Sequence, residues 1–137
     1  MDCQKTLTEG FRDFGKINAK TCIVSSGYLT HKAIKVMKSH PELDVSVVDL
    51  IRIKPLSNQL ITRLNSCKKI ITLEEQLLEG GIGSGIIEAL SDKGMLADKK
   101  IKRMGLLDGF DVFNGDRDYL HESYGLSEKA LEQVLLE

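Results

Sequence analysis

The amino-acid sequence predicts an α/β sandwich with a mostly parallel sheet. Three observations predict it. Short, β-rich apolar runs alternate with segments of helical periodicity. The connections between them are short. Glycine, proline and polar turn residues mark most of the boundaries. At 137 residues the chain fits one domain with a real core. Residues 1–137 therefore read as a single domain, with 1–10 expected to be flexible.

The elements follow in order. "KTCIVSSG", Lys20 to Gly27, is a buried strand ending in turn residues. A helix runs from about Thr30 to His40, with Ala33, Val36 and Met37 on one face, and Pro41 ends it. "LDVSVVDL", Leu43 to Leu50, is the next strand. After the loop "IRIKPLS", Ser57 is placed to cap a helix whose apolar face is Leu60, Ile61 and Leu64. "KKIITL", Lys68 to Leu73, is a third strand. A helix with Ile82, Ile86 and Leu90 on one stripe comes next, then a shorter strand, Lys99 to Gly105. A further helix is expected from Asp116 to Tyr124, stopped by Gly125. Ser127 caps the last helix, with Leu126 and Leu131 placed as a staple. The weaker segment "FRDFGKINA" fits an additional edge strand near Gly15 to Ala19.

Composition narrows the function classes. The net charge is -1, and no basic stripe appears, so nucleic acid is not an expected partner. Trp is absent and aromatics are few, which speaks against a base-stacking platform. No apolar run is long enough to span a bilayer, and "MDCQKTLTEG" has no apolar signal core, so the expectation is a cytoplasmic protein with no membrane partner. Cys3, Cys22 and Cys67 are odd in number and widely spaced, against a disulfide framework or a zinc site. Cys22 lies in an apolar run and reads as a small buried hydrophobe.

The stretch "EEQLLEGGIGSGII", Glu74 to Ile87, poses the main question. Glycine-rich loops that open helices often cradle phosphates. Gly81 and Gly83 match the first two positions of a dinucleotide fingerprint, but the third falls on Ile86, and two acids stand just after the strand. Gly80 and Gly85 have the spacing of a phosphate loop. Ile86 stands where its lysine belongs, and Ile87 where its hydroxyl belongs. The loop of Gly80, Gly81, Gly83 and Ser84 therefore reads as a structural feature. Its glycines let the helix approach a neighbouring backbone closely. Glu74 and Glu75 are adjacent on a strand and point to opposite sides, so they make a poor acid/base pair. One reads as solvated, the other as a helix cap or the partner of a base. His31, His40 and His121 lie far apart, without metal-ligand spacing, and "SSG" is not a nucleophile elbow.

The order of pieces resembles a known family. "FGKINAKTCIVSSGYLTHKAI", "VSVVDLIRIKPLS", "IITLEEQLLEGGIGSGIIEAL", "KRMGLLDGF" and "YGLSEKAL" are similar to the C-terminal domain of transketolase-like, thiamine-diphosphate-dependent enzymes. The most specific pieces are Val48-Asp49-Leu50, Ile53-Lys54-Pro55-Leu56, and Glu74-Glu75 with Gly80, Gly81, Gly83 and Ser84. Ser57 departs from the Asp common in relatives, and both residues cap helices. The resemblance implies a three-layer α/β/α sandwich around a mixed five-stranded sheet of order 1-3-2-4-5, with the first strand antiparallel.

It also implies that thiamine diphosphate and Mg2+ are held by other domains of the complete enzyme, not by this one. The diphosphate-and-metal motif is absent, "NGDRD" is not it, and no residue matches the family's catalytic groups. The chain is thus expected to lack catalytic, cofactor-binding and metal residues. It reads as the C-terminal domain or split subunit of an enzyme moving two-carbon ketol units between sugar phosphates. Its partners would be the cofactor-binding domains or subunit, in a homodimer. A deoxyxylulose-phosphate synthase, a 2-oxoacid dehydrogenase beta subunit and a stand-alone small-anion-binding module are the alternatives. Any ligand is expected at the topological switch point, outside the ends of the second and fourth strands. An anion site there would use Ser26, Gly27 and His31.

Overall fold

The computed structural model describes residues 10–16, 18–51, 56–77, 81–106 and 128–137, without the side chains of 75–77 and 106. The elements are β1 (Phe11–Gly15), β2 (Thr21–Ser25), α1 (Tyr28–Ser39), β3 (Val45–Leu50), α2 (Asn58–Asn65), β4 (Lys69–Leu77), α3 (Ile82–Asp92), β5 (Lys100–Leu106) and α4 (Glu128–Leu136). They form one five-stranded sheet of order β1-β3-β2-β4-β5. β1 is antiparallel to β3 and every other pairing is parallel.

Side-chain alternation along the central strands builds a core on each face. Cys22, Val24, Val48, Leu50 and Ile70 point one way and pack with Leu60, Ile61 and Leu64 of α2 and Ile82, Ile86 and Leu90 of α3. Ile23, Val45, Val47, Ile71 and Leu73 point the other way and meet Leu29, Ala33 and Val36 of α1 and Leu131 and Val134 of α4. Helices on both faces make the three-layer sandwich. Each fully buried Ile or Leu contributes about 1.5–3 kcal/mol relative to exposure. The two cores together therefore hold the layers.

Three boundaries differ from the sequence reading. The antiparallel edge strand is Phe11–Gly15, upstream of Gly15 to Ala19. Phe11 pairs with Leu50 and is buried, whereas Gly15 turns the chain with φ 90. A Cβ there would lie 2.8 Å from Met37 Sδ and 3.2 Å from Val45 O. Helix α1 starts at Tyr28 rather than Thr30, because Gly27 O already accepts the Thr30 N–H. Strand β4 continues past Leu73 to Leu77, with an irregularity of register between the two, so Glu74 and Glu75 lie within the strand.

The Ser57 cap on α2 forms as expected: its Oγ accepts the Leu60 N–H at 3.1 Å. The expected helix from Asp116 to Tyr124, Gly125, the Ser127 cap, the Leu126–Leu131 staple, Ile53-Lys54-Pro55, Gly80, Cys3, His121 and the expected flexibility of residues 1–9 lie outside the described residues.

Candidate functional site

The glycine-rich stretch resolves into a self-capped helix. Gly81 is the N-cap of α3, and glycine has no side chain to satisfy the first N–H groups. Glu74 does so from the neighbouring strand. Its Oε1 accepts the Ile82 N–H at 2.6 Å and its Oε2 the Gly83 N–H at 2.9 Å. The carboxylate is buried and sits at the positive end of the helix dipole, the place an anionic ligand would take. Gly83 is small for a packing reason. A Cβ there would come within 2.7 Å of Thr72 Oγ1 and 2.8 Å of Arg103 Nε. Arg103 of β5 reaches over and donates from Nη2 to Ser84 Oγ at 2.6 Å. Strand β4, strand β5 and helix α3 thus close on one another around four polar residues.

A second polar group lies at the carboxyl ends of β2 and β3. Thr30, in the first turn of α1, donates from Oγ1 to Asp49 Oδ1 at 2.9 Å, and its hydroxyl lies 2.9 Å from Ser25 Oγ. Arg12, the cross-strand partner of Asp49, donates from Nη2 to Asp49 Oδ2 at 2.6 Å. Ser25, Thr30 and Asp49 are all buried. A buried carboxylate with two such donors, one on each oxygen, is satisfied and held. This network pins β1 to β3 and α1 to the sheet end.

The expected switch-point residues line the same edge. Ser26 is half-buried, and Gly27 and His31 are exposed. Gly27 is the N-cap of α1, with φ 65 and no side-chain cap. Nothing lies within 4 Å of where a Cβ would stand. The two helix N-termini differ among the described residues: that of α3 is filled by Glu74, whereas α1 has no acidic residue in its first turn. Among the described residues, no group of three or more His, Cys, Asp or Glu is arranged to hold a metal ion. Among them also, no helix is long and apolar enough to cross a membrane.

Residues 15–131 match the family model described as transketolase, C-terminal domain. The chain belongs to that family. Among curated relatives it is 32% identical over 117 residues to a 1-deoxy-D-xylulose-5-phosphate synthase of Vibrio vulnificus (strain CMCP6). That alignment covers 85% of this chain and 18% of the relative. A 1-deoxy-D-xylulose-5-phosphate synthase of Halothermothrix orenii is 33% identical, over 83% of this chain and 18% of its own length. The chain thus spans less than a fifth of those relatives. Among solved structures, a split-gene transketolase described as an inactive beta4 tetramer superposes with a TM-score of 0.71 at 26% identity. It is covered over 91% of this chain and 40% of its own.

For this transketolase C-terminal domain, the residues that sequence reasoning missed are the buried polar partners. Asp49 stands in the sequence as one member of the Val48-Asp49-Leu50 run, and in the fold it anchors Arg12 and Thr30. The available signal was an acid inside a strand buried throughout, "VSVVDL". Arg63 was not singled out. Its Nε donates to Asp13 Oδ1 at 3.0 Å and its Nη2 to Ser46 Oγ at 2.8 Å. Such pairs join residues far apart in the chain, and periodicity carries no information about them.

Proposed function

We propose that this chain serves as the C-terminal domain or split subunit of a thiamine-diphosphate-dependent enzyme. In it, the domain holds cofactor-binding domains in position across a homodimer and performs no chemistry itself. The observation that carries the proposal is the family match over residues 15–131 in a chain spanning 18% of its synthase relatives. The cofactor and Mg2+ belong to the other domains. Where this chain's glycine pattern offers a place for a diphosphate, the Glu74 carboxylate stands in it, and two anions do not share one helix N-terminus. The residues present do not fit the cofactor. In the complete enzyme the cofactor would supply the electron sink for the chemistry at the carbonyl carbon.

Two reactions compete for the complete enzyme. The sequence relatives favour synthesis of 1-deoxy-D-xylulose 5-phosphate. The split-gene neighbour favours ketol transfer between sugar phosphates, and supports a separate partner subunit. A cytoplasmic setting suits either. Within this reading, Ser26, Gly27 and His31 form a weak anion site, supported by their place at the start of α1, whose first turn carries no acidic residue. Calorimetry of the isolated chain with thiamine diphosphate and magnesium tests the proposal. The expected result is no heat of binding; micromolar affinity would overturn it.

A further inference from the structure

Two thiols lie together at the amino ends of the parallel strands, on the sheet face opposite the Asp49 network. Cys22 is in β2, and Cys67 is in the turn between α2 and β4. Both are reduced, buried, and part of the same core. Their surroundings are not those of two small hydrophobes. Cys22 Sγ lies 3.9 Å from Ile23 O, and its cross-strand neighbour Ser46 is bonded by the same Arg63 guanidinium that reaches Cys67, which brings the two thiols to one place. Arg63 Nη1 donates to Cys67 Sγ at 3.6 Å, and the same guanidinium is fixed by Asp13 and Ser46. From the other side comes Lys99, whose side chain is fully buried. Its Nζ donates to Cys67 O at 2.8 Å and Asn65 O at 2.7 Å.

Buried cations beside a thiol select its ionised form, the form that reacts. Cys22 beside it pulls the Cys67 thiol down to about 6, with Arg63 and Lys99 adding to the effect and burial opposing it. Cys22 is pushed the other way, chiefly by Cys67 beside it and by burial. Arg63 on the Cys67 sulfur and Lys99 on its carbonyl favour the thiolate at Cys67, whereas Cys22 is enclosed in the core. Groups facing the pair are Arg63 of α2, Asp13 of β1, Ser46 of β3 and Lys99 before β5. Asp13 reaches the pair only through Arg63.

We propose that Cys22 and Cys67 are an oxidative modification site, a dithiol that a hydroperoxide converts to a disulfide. The Cys67 thiolate attacks one peroxide oxygen. An S–O bond forms, the O–O bond breaks, and the leaving oxygen departs protonated as an alcohol or water. Cys22 then attacks the sulfenyl sulfur. The S–S bond forms, the S–O bond breaks, and the hydroxide leaves as water with the Cys22 proton. Two thiols lose two electrons, and one hydroperoxide gains them. Cys67 is buried, but Asn65, Ser66 and Lys68 around it are exposed, so opening this one turn admits a molecule as small as hydrogen peroxide. The bridge ties the end of α2 to β2.

The test uses the full chain carrying Cys3→Ser, treated with hydrogen peroxide and mapped without reduction. The expected result is a peptide linking Cys22 to Cys67, reversed by dithiothreitol. In Cys22→Ser, dimedone should capture a sulfenic acid at Cys67. In the parent, alkylation of Cys67 should reach its plateau rate at a pH well below that of Cys22. Free thiols at Cys22 and Cys67 under peroxide that oxidises a control peptide thiol would overturn the proposal. So would a map in which Cys67 links only between molecules. The map of the parent needs neither cysteine variant to fold.

Discussion

The carboxylate of Glu74, in strand β4, is the cap of helix α3: it accepts the N–H of Gly83 at 2.9 Å, nine residues further along the chain. With the Ile82 N–H on its other oxygen, both partners are buried backbone donors. Glu74→Ala should orphan the two and cost roughly 1–3 kcal/mol. Glu74→Gln retains an acceptor oxygen and should lose less. Urea denaturation of the three proteins checks the order. An unchanged midpoint in Glu74→Ala would mean that solvent already serves those N–H groups.

Gly83 faces Thr72 and Arg103 at distances no Cβ tolerates, 2.7 and 2.8 Å. The Thr72 side chain is short and buried, so it has little room to yield. Gly83→Val should cost roughly 1–3 kcal/mol by overpacking. Gly85 is the control, since a Cβ there meets only Leu56 Cδ1 at 3.7 Å. Gly85→Ala should leave the denaturation midpoint unchanged or raise it. Equal losses at both positions would show that helix formation, not close approach, sets the need for glycine.

Asp49 and Arg12 are unequal partners: their side chains are 7% and 37% exposed. Removing the arginine leaves a buried carboxylate to which, among the described residues, only Thr30 donates a side-chain hydrogen bond. Removing the carboxylate leaves a guanidinium already reaching water. Arg12→Ala and Asp49→Asn should both destabilise, with the full buried-pair cost discounted for solvent at Arg12 to roughly 1–3 kcal/mol. Thr30→Val should cost about 1 kcal/mol more than Ser26→Ala, because only Thr30 bridges Ser25 and Asp49. Thermal melts of the set give the ranking; a neutral Thr30→Val would dissolve the network.

The Cys67 thiol makes stability depend on pH. Its folded-state value lies near 6, below the ordinary 9. In that window the unfolded chain binds more protons at this site, so its contribution grows as pH rises. It is complete above about 9 and lost as pH falls through about 6. Cys67→Ser should flatten the rise of stability between those limits. A slope unchanged by the substitution would show that Cys67 is protonated in the folded protein.

Phosphate titration followed by amide shifts tests the edge of the sheet. Shifts should gather at Ser26, Gly27 and His31, the start of α1, and spare Ile82 and Gly83, where Glu74 already sits. Shifts centred on α3 would reverse the assignment.

What the sequence made legible was local. The stripe Ile82, Ile86 and Leu90 and the Ser57 cap follow from spacing within one element, and both appear as expected. Strands alternating with helices predict the α/β sandwich, and its three layers and the strand order come with the family resemblance. Edges were less clear. Phe11–Gly15 carries mixed polar residues, because β1 covers only one neighbour, and Gly15 marks its end rather than its beginning. Strand β4 runs past Leu73 because Glu74 is buried by its bonds to α3, a satisfaction that hydropathy scores as a polar stop. Cys22 was legible as a buried residue. Its place beside Cys67 was not, since the two enter one core only once β2 and the turn before β4 lie side by side.

The central claim is that this domain works by holding cofactor-binding domains that it does not itself contain. The most direct measurement is reconstitution. The chain is co-expressed with the cofactor-binding part of a related synthase or transketolase, purified by a tag on one partner, and assayed with thiamine diphosphate and magnesium. Two assays are run, for 1-deoxy-D-xylulose 5-phosphate formation and for ketol transfer. The account predicts a stable complex whose activity in one assay appears only when both parts are present. Failure of the two parts to associate, or activity of the cofactor-binding part unchanged by this chain, would contradict it.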